Sequence, residues 1–151
     1  HLRVRIPDKY KHLKFITAFD AILLQLQDAN VKRTLLFAPY DKKTIDAEVE
    51  LLQLHGIQVV KSVSLPYKDE IRYITPDQIC DTFMIEYTEC DAVMFSCTAL
   101  YTLEAIETIR RTLHVNVLIL SSNTAIANVL NDLYSEYCSR DLKELKYDQA
   151  K

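Results

Sequence analysis

The sequence predicts an α/β fold: a four-stranded parallel sheet in the order 2-1-3-4 with helices on both faces. Two observations lead there. Short apolar runs alternate along the chain with longer stretches whose apolar residues recur at helical spacing, the pattern of successive βαβ units joined by right-handed crossovers. The short runs are also continuously apolar, as strands are when helices cover both of their faces.

Each element can be justified in turn. Phe15, Ala18, Phe19, Ile22, Leu23 and Leu26 mark a first helix, and Thr17 with Asp20 three residues later offers its cap. The run Thr34-Leu35-Leu36-Phe37-Ala38, closed by Pro39, reads as a buried strand. A second helix spans 41–55 on Ala47, Leu51 and Leu54, and Gly56, the chain's single glycine, sits where a helix end calls for positive φ. Ile57-Gln58-Val59-Val60 is the second strand. Residues 62–74 lack a helical period and contain Pro66, so they are expected to form a long connection. Thr75-Pro76-Asp77-Gln78 places a capping residue, a first-turn proline and a reciprocal Gln together, starting a third helix that buries Ile79, Phe83 and Tyr87. A third strand follows at 92–95, a fourth helix at 100–113, a fourth strand at 115–120 and a last helix from about Thr124, with Ile126, Val129, Leu130, Leu133 and Tyr137 on one face. Its charged tail, 140–151, is expected to be a solvated end.

Composition narrows the function. With 151 residues and 49% hydrophobic content the chain suits a single domain over 1–151. Its net charge of −3, from 18 basic and 21 acidic residues, argues against a nucleic-acid partner. Apolar runs fall short of the roughly 20 residues that cross a bilayer, so no membrane partner is expected. No signal-peptide pattern opens the chain, which begins with His1 rather than Met and is expected to be a processed or truncated form. Cys80, Cys90, Cys97 and Cys138 lack CxxC spacing, and His1, His12, His55 and His114 do not cluster with them, so no metal is expected. One glycine cannot build a phosphate-cradling loop, so no nucleotide cofactor is expected either. A helix-rich chain without a stapled-scaffold pattern points to a reducing compartment, the cytoplasm.

In open parallel sheets ligands bind beyond the carboxyl ends of the strands, where the winding reverses. For the order 2-1-3-4 that place lies between strands one and three. Past those ends stand Pro39-Tyr40 and Ser96-Cys97-Thr98, and past the fourth strand Ser121-Ser122-Asn123. Cys97, at a junction between strand and helix, would face free helix amides that favour thiolate, which prepares a nucleophile or an acid/base group. Each residue also has a plainer reading. A lone cysteine is commonly a small core residue, Tyr40 could merely cover the sheet end, Ser96 and Thr98 could be local caps, and Ser122 or Asn123 could cap the last helix.

The segments Val31-Lys32-Arg33 through Ala38-Pro39-Tyr40, Gly56-Ile57-Gln58-Val59-Val60, Cys90-Asp91-Ala92-Val93, Ser96-Cys97-Thr98-Ala99-Leu100, Thr102-Leu103-Glu104 and Ser121-Ser122-Asn123 resemble the Asp/Glu racemase superfamily. The maleate cis-trans isomerase and arylmalonate decarboxylase branch is the nearest, and the resemblance runs from about Phe15 to Leu133. It implies the flavodoxin-like second, C-terminal half of a two-half protein that binds small dicarboxylates in a cleft without cofactor or metal. Cys97 would be the catalytic thiol. Tyr40, in the position of a "PY" tyrosine, and Asn123, in that of an "SN" asparagine, would contact substrate, with Ser96 and Thr98 beside them. The sequence departs from the pattern at Ile45 and Thr124, where the family has an asparagine and a glutamine, and at Asn30 and His114, where it has glycines. Cys80 and Cys90 read as core residues.

Two functions from different classes are therefore expected. One is a cofactor-independent isomerase, racemase or decarboxylase of a small dicarboxylate, most like maleate cis-trans isomerase. The other is a non-catalytic carboxylate-binding or assembly module. In either case the partner would be the missing first half or a second copy in a homo-oligomer.

Overall fold

The fold, taken from a computed structural model, is described for residues 15–66, 70–112 and 117–148, and for the side chains of the last helix as far as residue 135. His1, His12, His114 and the side chain of Cys138 lie outside the described residues. In chain order the elements are α1 (Ala18–Asp28), β1 (Arg33–Ala38), α2 (Lys42–Leu54), β2 (Gln58–Ser64), a 3₁₀ turn (Ile71–Tyr73), α3 (Pro76–Glu86), β3 (Ala92–Phe95), α4 (Leu103–Thr112), β4 (Leu118–Ser121) and α5 (Ser122–Asp148). The four strands form one sheet in the order β2-β1-β3-β4, all neighbours parallel, as the sequence predicts.

Side-chain alternation along the central strands divides the core into two layers. Leu35 and Phe37 of β1, Val93 and Phe95 of β3 and Ile119 of β4 point to the face covered by Ile79 and Phe83 of α3 and by Ala105, Ile106 and Ile109 of α4. Leu36 and Ala38, Ala92 and Met94, and Leu120 point the other way, onto Ile22 and Leu26 of α1, Ile45 and Leu52 of α2 and Ala125 of α5. The placement of α2 opposite α3 and α4 follows from the reversal of winding: the chain steps outward from β1 to β2, then returns across β1 to β3 and β4. Among the described residues no helix is long and apolar enough to cross a membrane.

Local signals act where the sequence places them. Thr17 and Asp20 bond reciprocally at the start of α1, and Thr75 and Gln78 do so at the start of α3, where Pro76 occupies the first turn. Gly56 ends α2 at φ 77°. Asn30 adopts φ 53°, a left-handed conformation that asparagine tolerates better than most side chains.

Three boundaries need correction. β2 does not stop at Val60 but continues to Ser64, paired with β1 up to Ala38. It is an edge strand with one exposed side, so Lys61, Ser62 and Ser64 end the apolar run without ending the backbone pairing. The expected long connection therefore begins only after Ser64. α4 starts at Leu103, not at residue 100: Leu100 is buried in the preceding turn, which is closed by its N–H donating to the Cys97 carbonyl at 3.3 Å. α5 starts at Ser122, directly behind β4, and runs through the expected tail to Asp148; whether that tail's side chains are solvated lies outside the described residues. Residues 113–116, which the sequence assigns to the end of the fourth helix and the start of the fourth strand, also lie outside them.

Candidate functional site

The tips of β1, β3 and β4 come together, and backbone bonds hold the loops that leave them. The Ser96 N–H donates to the Phe37 carbonyl at 2.8 Å, extending the ladder between β3 and β1 by one rung. On the other flank the Leu65 N–H donates to the Ala38 carbonyl at 2.9 Å, and the Ser64 hydroxyl donates to the Tyr40 carbonyl at 2.8 Å. Tyr40 and Cys97 are thereby presented from adjacent strand ends.

Both side chains face a cleft of about 470 Å³. Its floor is Tyr40, Ser96, Cys97, Thr98 and Ser122, and its wall is formed by Phe19 and Ile22 of α1 with Thr44, Glu48 and Leu51 of α2. Cys97 is buried, at 6% exposure, yet its neighbours leave open space on the cleft side. Cys97 is thus both a member of the core layer that packs under α3 and α4 and a residue bordering the cleft.

The polar groups form a connected set. The Ser96 hydroxyl donates to Glu48 Oε1 at 2.5 Å. The Tyr40 phenol lies near the Cys97 thiol and the Ser96 hydroxyl, with which it lines the cleft. Burial, then the neighbouring thiol and the Glu48 carboxylate, push the phenol well above its ordinary value, with only Ser96 acting in the opposite sense. Tyr40 is therefore a neutral hydrogen-bonding group at any ordinary pH. Burial also raises the Glu48 carboxyl, partly offset by the Ser96 hydrogen bond.

The surroundings of Cys97 differ from the expectation in one respect. α4 begins only at Leu103, six residues later, so the thiol does not stand at its start. The helix end beside it belongs to α5: the Cys97 N–H donates to Ser122 Oγ at 3.1 Å. Ser122 is available for this because Ser121 is the residue that caps α5. The Thr124 N–H donates to Ser121 Oγ at 3.2 Å and the Ser121 N–H to Thr124 Oγ1 at 2.9 Å. Neither Ser122 nor Asn123 makes the capping bond.

Of the residues singled out from the sequence, Tyr40, Ser96, Cys97 and Thr98 line the cleft. Asn123 does not line it. It is exposed, and its Nδ2 donates to the Thr98 carbonyl at 3.1 Å, so it tethers the loop that carries Cys97. Cys90 is buried in the core, and Cys80, half-buried, donates through its thiol to the Ala105 carbonyl at 3.7 Å. Burial raises both thiols above their usual range. Sequence reasoning missed Glu48, and it placed Ser122 at the strand tip only as one of three residues there or as a helix cap, not as the acceptor for the Cys97 amide. The signal for Glu48 was its spacing from Thr44 and Leu51, which puts one acid on a helix face turned toward the strand tips. Among the described residues no group of three His, Cys, Asp or Glu side chains is placed to hold a metal ion.

This arrangement defines a class of protein: a parallel α/β fold with a cysteine and a tyrosine at adjoining strand tips. The profile of the arylmalonate decarboxylase family matches residues 2–137, and the chain belongs to that family. No curated protein sequence matches it. Among solved structures, an arylmalonate decarboxylase superposes with a TM-score of 0.62 at 23% identity, covering 72% of this chain and 49% of its own. The maleate cis-trans isomerase of Nocardia farcinica gives 0.70 at 24% identity, covering 78% and 49%. A cysteine-to-serine mutant of that isomerase, carrying a covalently bound succinylcysteine intermediate, gives 0.68 at 23% identity, covering 77% and 49%. The chain thus spans about half the length of the solved relatives it matches.

Proposed function

We propose that the chain is one half of a cofactor-independent isomerase, racemase or decarboxylase that acts on a small dicarboxylate through Cys97, most like a maleate cis-trans isomerase. The observation that carries this reading is the meeting of Cys97, Tyr40 and Ser96 in one cleft at the strand tips. The Nocardia mutant with its succinylcysteine intermediate is similar in fold and supports a covalent role for a cysteine in such a site.

For an alkene dicarboxylate the Cys97 thiolate would add to one alkene carbon. The sulfur–carbon bond forms as the π electrons move onto the neighbouring carbon and its carboxylate, giving an enediolate. Rotation about the resulting single bond, followed by loss of the thiolate, returns the alkene in the other geometry. The amides of Thr98 and Ala99, in the turn beside the thiol, would hold the enediolate oxygens. The Cys97 amide is already bonded to Ser122, so it is not assigned that task. Tyr40, a neutral donor, would hold a carboxylate, and Asn123 would act at one remove by fixing the Thr98 loop. The opposite wall would come from the missing first half or from a second copy of the chain. A reducing compartment such as the cytoplasm suits a working thiol.

The alternative, a carboxylate-binding module without catalysis, is favoured by one observation: among the described residues no Lys, Arg or His lines the cleft to balance a dianion. Incubation with maleate, read by NMR for fumarate and by mass spectrometry for an adduct on Cys97, separates the two. Product that disappears in Cys97→Ala supports the enzyme. Protection of Cys97 from iodoacetamide by maleate, without adduct or product, supports the module. Alkylation indifferent to maleate and to malonate removes both.

A further inference from the structure

Among the described residues Glu48 is the single carboxyl group lining the cleft, and the hydrogen bond it receives comes from a hydroxyl rather than from a cation. On its own helix the positions three and four residues away are Thr44, Ile45, Leu51 and Leu52, none of them charged. From the elements packed around it, α1 presents Phe19 and Ile22 and α5 presents Ser122, while the loops present Ser96, Tyr40 and Cys97. Among the described residues the titratable groups facing it are therefore a phenol and a thiol, and neither supplies a positive charge. Nearby Asp41 is turned to its own helix start, where it accepts from the Thr44 N–H at 2.8 Å.

A dicarboxylate seated against Ser96 and Tyr40 would bring a second negative charge beside this carboxylate. Two carboxyl groups sharing one site settle with a proton between them, because both cannot stay ionised at close range. We propose that Glu48 is a specificity-determining residue that takes up one proton when a dicarboxylate binds and, as the neutral acid, donates a hydrogen bond to the ligand. The inference rests on the reading of this cleft as a dicarboxylate site.

The step is a simple protonation. One proton moves from solvent to Glu48, one O–H···O bond forms to the ligand, and the Ser96 hydroxyl becomes free to turn from Glu48 toward the same ligand. Burial already disfavours the ionised form of Glu48, so the proton is acquired more readily than by an exposed carboxyl. Selectivity follows. An anion reaching Ser96 must carry a carboxylate that can share this proton, and binding must weaken in alkali, whereas an amide or alcohol placed there needs no proton.

The test is isothermal titration of the chain with maleate near pH 8, in two buffers of different protonation enthalpy. The expected result is uptake of about one proton per maleate bound, with affinity falling about tenfold per pH unit above the Glu48 transition. Glu48→Gln should bind maleate with uptake near zero and with affinity nearly independent of pH. Maleate binding to the unmodified chain without proton uptake overturns the inference with no variant needed, and leaves the dicarboxylate reading standing. Uptake that persists unchanged in Glu48→Gln overturns it equally. Failure of maleate and malonate to bind either protein overturns both.

Discussion

Ser122→Ala isolates one hydrogen bond that holds the candidate thiol in place. Ser122 is 3% exposed, and its hydroxyl oxygen accepts from the Cys97 N–H at 3.1 Å. Alanine fits the same space and continues the helix, so the change removes an acceptor and little else. What remains is a buried N–H without a partner, which costs about 1–3 kcal/mol. With a urea dependence of about 2 kcal/mol per M, a loss of about 2 kcal/mol moves the unfolding midpoint down by roughly 1 M. Asn123→Ala is the matched control, one residue along. Its bond to the Thr98 carbonyl is exposed, so water replaces it and the expected loss is under about 1 kcal/mol. Urea unfolding of the two variants and the parent, followed by circular dichroism, supplies the comparison. Equal midpoints for Ser122→Ala and Asn123→Ala would refute the argument that burial of the Cys97 amide makes the difference. Faster alkylation of Cys97 in Ser122→Ala should accompany the loss, because the strand tip that shields the thiol is then less firmly held.

Two further outcomes test the core and the sheet's opposite end. Phe37→Ala removes a fully buried ring whose centroid lies 5.2 Å from that of Phe95 and 5.8 Å from that of Phe83, and should cost about 3–5 kcal/mol in urea unfolding; a loss under about 1 kcal/mol would mean that this layer is not close-packed. The Asp91 carboxylate accepts from the Lys32 and Arg33 N–H groups at 3.0 and 2.8 Å, which hold it below its usual range. Because its folded value is depressed, its contribution is present above the unfolded value of about 4 and lost as pH falls through the folded one. Asp91→Asn should therefore flatten the acid side of a plot of stability against pH. An unchanged acid limb would contradict this.

Much of the fold is legible in the sequence because its signals are local. The capping pairs at Thr17 and Thr75, the glycine at 56 and the continuous apolar runs of the central strands each act within a few residues. The misread boundaries lie where tertiary context overrides such signals. Lys61, Ser62 and Ser64 look like loop, yet they pair with β1 because an edge strand needs only one apolar face and one backbone partner. Leu100 looks like the first apolar position of a helix, yet it is buried in a turn. The site divides in the same way. Topology alone brings Tyr40 and Cys97 together, so both are readable from strand order. Glu48 and Ser122 depend on the rotation of α2 and on which serine caps α5, and neither is fixed before the elements pack.

The positions where this sequence departs from the pattern that its resemblance to the family implies have a physical reading in the same terms. A glycine lost in a left-handed position would ordinarily strain the backbone, but Asn30 takes φ 53° there and its N–H donates to the Gln27 carbonyl at 2.8 Å, so the turn into β1 survives. Ile45, in place of an asparagine, is buried against the sheet beside Leu52, where a polar amide would need partners that this core lacks. Thr124, in place of a glutamine, closes the reciprocal bond with Ser121 that starts α5. That bond leaves the next serine free to hold the Cys97 amide. The replacement at 124 is thus linked, through two hydroxyls and one backbone bond, to the position of the thiol. The bonds that support the thiol are therefore in place: Ser121 and Thr124 start α5, and Ser122 holds the Cys97 amide.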